Sequence, residues 1–124
     1  MRVAALDHVN IHTDDVPGTA RFYAELLGLE PGNTPGSFPP EQAQWLFDAE
    51  GRAIIHLFRG EYTRGSTGPI HHVALRCSGK AELLERLTSR GAKFDVHKAS
   101  PELTLVFTRD PHGILLELNF FGEG

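Results

Sequence analysis

The chain has one cysteine, no long apolar run and no dense cluster of basic residues, and each shortage excludes something. With Cys77 alone among its 124 residues, no intramolecular disulfide can staple the fold, which removes the small secreted disulfide scaffolds. The N-terminal stretch MRVAALDHVNIHTDD lacks the continuous apolar segment of a signal peptide or membrane span, so a cytoplasmic protein that does not enter membranes is expected. The twelve Lys and Arg residues form no dense run against sixteen Asp and Glu, and the formal net charge is −4. Nucleic acid is thereby disfavoured as a partner, because phosphate binding leaves a basic footprint. What remains is ordinary for one compact soluble domain: 40% hydrophobic and 23% charged residues.

Against that plain background the chain repeats itself. LDHVNI at Leu6 to Ile11 recurs as IHHVAL at Ile70 to Leu75, 64 residues on, and each copy carries a histidine at the same place, His8 and His72. The halves also end alike. DAEGRAIIHLF (Asp48 to Phe58) answers DPHGILLELNF (Asp110 to Phe120), which sets His56 over Glu117. A duplicated unit fixes architecture before any single motif does. Here it also puts imidazole, imidazole, imidazole and carboxylate at four corresponding points, a ligand set suited to a divalent metal.

Patterning fills in the unit. Leu6 to His12 alternates as a strand, Val9 and Ile11 on one side and His8, Asn10 and His12 on the other. Asp14 or Asp15 can cap a following helix with Pro17 in its first turn and Gly28 at its end. Glu30 to Gln44, rich in Gly and Pro, reads as a weak strand plus a loop, and Trp45–Phe47 with Ala53–Phe58 as a hairpin. Arg59 to Pro69 has no apolar periodicity and reads as a joint, with Gly60, Gly65, Gly68 and Pro69. The second half repeats the order: a strand at His71–Cys77, a helix over Lys80–Arg90 with Leu83, Leu84 and Leu87 inward, then strands near Lys93–His97, Leu103–Thr108 and Ile114–Phe120. The expected fold is α+β, with module one over residues 3–59, a linker over 60–69 and module two over 70–121, each module β-α-β-β-β.

The polar strand faces carry His8, Asn10 and His12 in one module and His72, Ala74 and Arg76 in the other. On an isolated strand such a face usually meets water. Four coincident ligand-type positions shift the odds away from that reading. His12 stands about 13 Å along the strand from His8, too far to share an ion, and is read as a substrate contact or a solvent-facing histidine. Arg76 suits a substrate carboxylate or phosphate as well as it suits a surface ion pair. Asn10 and Asn119 are candidates to support the ligand-type side chains. His71, His97 and His112 are expected to be structural or at the surface, with His71 on the face opposite His72. Cys77 is expected to be an inert, inward-facing thiol. Phe38, Trp45 and Tyr62 suit either pocket lining or packing.

The paired modules, the early histidine and late ligand residue of each, and the strings FYAELLGLEPG, HHVALRC and DPHGILLELNF together resemble the vicinal oxygen chelate superfamily, which includes glyoxalase I, methylmalonyl-CoA epimerase, extradiol dioxygenases, fosfomycin-modifying transferases and bleomycin-binding proteins. The resemblance spans nearly the whole chain. It implies a single domain over 1–124 whose curled mixed sheets form half-barrels around a metal cavity, commonly as a homodimer with a small-molecule substrate. It implies that His8, His72 and Glu117 form a two-histidine, one-carboxylate triad and that His56 is a fourth ligand or an acid/base, so that His56 and Glu117 are the catalytic candidates and His12, Arg76 and Asn10 the substrate-binding ones. A histidine at position 56 tilts the expected reaction toward an extradiol-type ring-cleavage dioxygenase with Fe(II) or Mn(II). A glyoxalase-like lyase or isomerase with Zn(II), Ni(II), Co(II) or Mn(II) is the alternative, and a drug-sequestering binding protein without chemistry is the third.

Overall fold

In the computed structural model, residues 1–33, 38–62 and 66–123 are described. The joint at Gly65 and the middle of the loop expected over Glu30–Gln44 lie outside the described residues. The chain divides into two compact units, Met1–Tyr62 and Thr63–Gly124. The first runs β1 (Val9–Thr13), α1 (Val16–Leu27), β2 (Glu30–Gly32), β3 (Ala43–Phe47) and β4 (Ala53–Arg59). The second runs β5 (Val73–Cys77), α2 (Lys80–Ser89), β6 (Asp95–Ser100), β7 (Leu103–Arg109) and β8 (Leu115–Phe121).

Each unit holds one open four-stranded mixed sheet, in the orders β1-β4-β3-β2 and β5-β8-β7-β6. The first strand of each lies parallel to the last, Asn10 opposite His56 in one unit and Ala74 opposite Glu117 in the other. These are the positions that the internal repeat makes equivalent, so the repeat is one of strand register as well as of sequence. The hairpins agree too. Trp45 faces His56 across β3 and β4, and Phe107 faces Glu117 across β7 and β8.

Alternation decides which face is core. On β7 and β8, Thr104, Val106, Thr108, Leu116, Leu118 and Phe120 are buried while their neighbours are half-exposed. In the first unit Ile11, Leu46, Ile55 and Leu57 are buried, as are Val16, Ala20, Tyr23 and Leu26 of α1, whose 3.6-residue spacing turns one stripe inward. A side chain such as Leu118, with no exposed surface, gains on the order of 2 kcal/mol from burial.

The hairpin turns are also duplicated. In DAEG, Asp48 Oδ1 accepts from the backbone N–H groups of Glu50 and Arg52, and Gly51 takes φ 77°. In DPHG, Asp110 Oδ1 accepts from His112 and Ile114, and Gly113 takes φ 89°. Only glycine enters that left-handed region without strain, and the aspartate satisfies the turn's orphan amides. The helix starts differ. Asp15 caps α1 by accepting from Gly18 at 3.0 Å, whereas Gly79 stands at the start of α2 with no side chain to offer. Glu123, just past β8, fills that role from 44 residues away, accepting from the N–H groups of Gly79 (3.0 Å) and Lys80 (3.0 Å).

The strands begin later than the sequence pattern suggests. β1 opens at Val9 rather than Leu6, and β5 at Val73 rather than His71. The first paired rungs are Val9 with Ile55 and Val73 with Leu116, although β4 and β8 themselves begin earlier, at Ala53 and Leu115, so the chain before Val9 and Val73 leaves the ladder while its partner strand continues. Leu6 and Ile70 are accordingly exposed.

Candidate functional site

His8 and His72 stand immediately before the first rung of their parallel ladders, and His56 and Glu117 lie one rung further on, opposite Asn10 and Ala74. Each unit therefore brings two ligand-type side chains together on the face of its sheet that α1 or the core does not cover.

In the first unit the pair is aromatic. Trp45 stacks flat on His56, with ring centroids 3.9 Å apart and planes 7° apart, and meets His8 edge-on at 4.8 Å. The His8 and His56 rings are 6.4 Å apart. Their Nδ1 atoms have different partners. His8 Nδ1–H donates to the Asp7 carboxylate at 2.6 Å, which leaves Nε2 with its lone pair, the tautomer a metal-ligating histidine uses. At His56 the Asn10 carboxamide donates through Nδ2 to Nδ1 at 3.3 Å, which places the ring proton on Nε2. Burial, and then the neighbouring His8, hold His56 below the ordinary imidazole pKa.

In the second unit His72 Nε2 lies 3.6 Å from Glu117 Oε1. Two ligands at about 2.1 Å in neighbouring positions of one ion are about 3 Å apart, so this pair fits a shared divalent cation after closing by about half an ångström. Asn119 Nδ2 donates to the other carboxylate oxygen, Glu117 Oε2, at 3.1 Å. That fixes the plane of the carboxylate. The Asn119 carbonyl oxygen, Oδ1, is buried and has no hydrogen-bond partner, an orphaned acceptor beside the ligand-type pair. Among the described residues no group of three or more His, Cys, Asp or Glu side chains stands together as a metal cluster; the donors come in these pairs.

The remaining candidates fall out as follows. His12 Nδ1–H donates to the Glu61 carbonyl at 3.4 Å and is exposed. Arg76 lies over the Phe121 ring at 4.3 Å, a cation–π contact. His71 does not turn away from His72. Their Nδ1 atoms are 2.9 Å apart and the rings meet edge-on at 5.2 Å, because the two residues precede β5 and strand alternation does not govern them. His97 is exposed on β6, and His112 sits in the DPHG turn. Cys77 is half-buried and its thiol pKa is raised by that burial, so it is no activated nucleophile. Phe38 packs edge-on against Phe58 at 5.1 Å. Sequence reasoning passed over Asp7 and the orienting role of Trp45. The Asp7–His8 step was visible in LDHVNI, whereas the Trp45 stack depends on strand register.

A family model described as Glyoxalase/Bleomycin resistance protein/Dioxygenase superfamily matches residues 5–118. Comparison with curated proteins gives no match. Among solved structures, a glyoxalase/dioxygenase from Nostoc punctiforme has a TM-score of 0.78 at 16% identity, covering 97% of this chain and 92% of its own. The fosfomycin resistance protein FosX of Listeria monocytogenes, solved with Mn(II) and 1S,2S-dihydroxypropylphosphonic acid, has a TM-score of 0.75 at 18% identity, covering 97% and 94%. A lactoylglutathione lyase from Agrobacterium tumefaciens has a TM-score of 0.68 at 21% identity, covering 96% and 95%. At such identities the likeness speaks for the fold alone. Among the described residues no helix is long and apolar enough to cross a membrane.

Proposed function

The chain belongs to the Glyoxalase/Bleomycin resistance protein/Dioxygenase superfamily, and from that premise we propose that it is a metal-dependent enzyme acting on a small substrate with two adjacent oxygens, first as a ring-cleaving dioxygenase. Residues 1–124 are read as one such domain, working as a homodimer. The observation that carries the proposal is the matched register: His56 opposite Asn10 and Glu117 opposite Ala74, with His8 and His72 just before the same ladders. Packing alone gives no reason to repeat a ligand-type residue at four equivalent points of two half-exposed sheet faces.

In this reading His8, His72 and Glu117 hold a divalent ion, Fe(II) or Mn(II), which when bound supplies Lewis acidity to the two substrate oxygens. Asp7 fixes His8 in the tautomer that offers Nε2, and Asn119 holds the Glu117 carboxylate. His56 is the acid/base. Asn10 accounts for its proton on Nε2, Trp45 holds the ring plane, and its depressed pKa keeps the resting ring neutral, so that Nε2–H is presented to a substrate oxygen as a donor. His12 and Arg76 are assigned to substrate contacts further along the same faces.

A second reading follows from Asn10 itself. Turning its carboxamide over exchanges Oδ1 and Nδ2 at the same heavy-atom positions. His56 Nδ1 then donates, Nε2 gains a lone pair, and His56 becomes the fourth ligand of a lyase or isomerase using Zn(II), Ni(II), Co(II) or Mn(II), with Glu117 moving the proton. Elemental analysis of wild type, His8→Ala and Glu117→Ala separates these. Iron or manganese lost in both variants, with oxygen uptake on catechols, supports the dioxygenase; zinc or nickel lost in both supports the lyase or isomerase. A protein that takes up no metal even on reconstitution sinks both and leaves a binding protein.

A further inference from the structure

The second unit contains an open groove of about 840 Å³ at the end of its sheet where β7 turns into β8, lined among others by Lys93, Phe94, Asp95, Phe107, Arg109 and Leu115. Its size is that of a small-molecule site rather than a peptide channel. Register shows how it is built. Phe107 pairs with Glu117 on one side and with Asp95 on the other, and Arg109 pairs with Leu115. Directly paired residues share a face of the sheet, so Arg109, Phe107, Leu115 and Glu117 line one surface. Lys93 reaches the same end, its carbonyl held by the Thr108 hydroxyl at 3.0 Å.

The floor is therefore apolar, from Phe94, Phe107 and Leu115, and its outer end carries two cations. Arg109 donates one N–H to the Gly113 carbonyl at 2.9 Å, which aims the guanidinium while leaving its other donors for a partner. Among the described residues neither Lys93 nor Arg109 is paired with a carboxylate. Asp95 is the one acidic side chain in the lining, so the groove keeps an excess of positive charge although the chain as a whole is at −4. Arg109 is two residues from Phe107 on β7, about 7 Å at the strand rise, and Phe107 is the direct neighbour of Glu117.

We propose that this groove binds the anionic, apolar arm of the substrate: an aromatic or branched body lying on Phe107 and Leu115, with a carboxylate or similar anion held by Arg109 and Lys93. The assignment to substrate rests on the metal-dependent reading above. It adds a substrate class, a molecule whose reacting oxygens and distal anion are separated by about 7 Å of apolar framework. The guanidinium can accept a planar carboxylate with two parallel N–H donors, and the ammonium adds a second charge.

The test uses 2-naphthoate as the probe and 2-naphthamide as its neutral counterpart, followed by amide chemical shifts in the 15N-labelled protein. Naphthoate is expected to shift residues 92–95, 107–109 and 115, and to bind about tenfold more tightly than the amide, the worth of one charge-assisted hydrogen bond. Lys93→Gln with Arg109→Gln, both exposed, should remove that preference. Equal affinity for acid and amide, shifts confined to other residues, or no binding by wild type overturns the groove. Metal content judges the other reading separately: a metal-free protein that still prefers naphthoate keeps the groove and loses the metal chemistry, and a metalloprotein blind to naphthoate does the reverse.

Discussion

Replacing Glu123 by alanine should weaken α2 although the substitution lies outside it. The Glu123 carboxylate accepts from Gly79 N–H with both oxygens, at 3.0 and 3.2 Å, and from Lys80 N–H at 3.0 Å. Gly79 itself has no capping side chain. Two of the four orphan amides at the helix start therefore depend on one remote anion, which also faces the positive end of the helix dipole. Loss of a capping acceptor costs about 1 kcal/mol and loss of the charge at an exposed helix start about 0.5 kcal/mol more. The Gly79 contact is exposed, so water recovers part of the first, and the expected destabilisation is about 1–1.5 kcal/mol. For a chain of this length that lowers Tm by about 5 °C. Glu123→Gln, which keeps an acceptor and drops the charge, should lose about half as much, and the gap between Glu and Gln should narrow in 1 M salt. Urea denaturation gives the free energies, and hydrogen exchange at Gly79 and Lys80 localises them. Glu123→Ala within about 0.3 kcal/mol of wild type, or Gln as damaging as Ala, would refute the cap.

Trp45 is the single tryptophan and lies flat on His56, so its emission should be quenched as the imidazolium forms, with a midpoint below the ordinary value of about 6.5 because burial and His8 disfavour the charge; a midpoint at or above 6.5, or one that survives His56→Gln, would contradict the stacked geometry. The sign for stability follows: the unfolded chain takes up this proton at higher pH than the folded one, so the contribution of His56 is complete above about pH 6.5 and is lost as pH falls through its lower folded value. Leu118→Ala, at a side chain with no exposed surface, should cost about 2–5 kcal/mol in urea denaturation, whereas Leu105→Ala on the half-exposed face of β7 should cost clearly less. Gly18→Ala should destabilise α1 by about 1 kcal/mol despite alanine's helix propensity, because the new methyl would collide with the capping Asp15 carboxylate; a more stable variant in a thermal melt would show that the cap is dispensable.

What the sequence made legible was whatever a short period or a repeat can carry. Alternation assigned Val9, Ile11, Val73 and Leu75 to one face, and the repeat put His56 and Glu117 at equivalent places, which the ladders confirm as equivalent rungs. The DAEG and DPHG turns were readable because Asp and Gly each have a local job in them. Illegible features depend on a partner distant in the chain. The capping of α2 is set by a residue beyond β8, and the stack of Trp45 on His56 by hairpin register. His71 shows the same limit from the other side: two-residue alternation placed it opposite His72, but a residue outside a ladder obeys no alternation, and the rings touch.

Duplication also explains why the four ligand-type residues need not behave alike. Equal register gives them equal positions, while their hydrogen-bond partners come from residues that the repeat does not preserve. His8 has the carboxylate of Asp7, an acceptor that demands a proton on Nδ1; the corresponding neighbour of His72 is His71, which can donate or accept. His56 has Asn10, a carboxamide able to present either end, where the partner of Glu117 on β5 is Ala74, which presents neither. Glu117 takes its hydrogen bond from Asn119 on its own strand instead, where the first unit has Phe58. Substitution at these neighbours should therefore change what each position does while leaving where it stands. Asn10→Asp is the sharpest case, since an ionised carboxylate can only accept: it would force the proton onto His56 Nδ1, hand Nε2 its lone pair, and convert an acid/base into a ligand. Under the dioxygenase reading that variant should gain metal affinity and lose turnover together, while under the lyase reading it should leave both nearly unchanged, and metal titration alongside the steady-state rate tells the two apart.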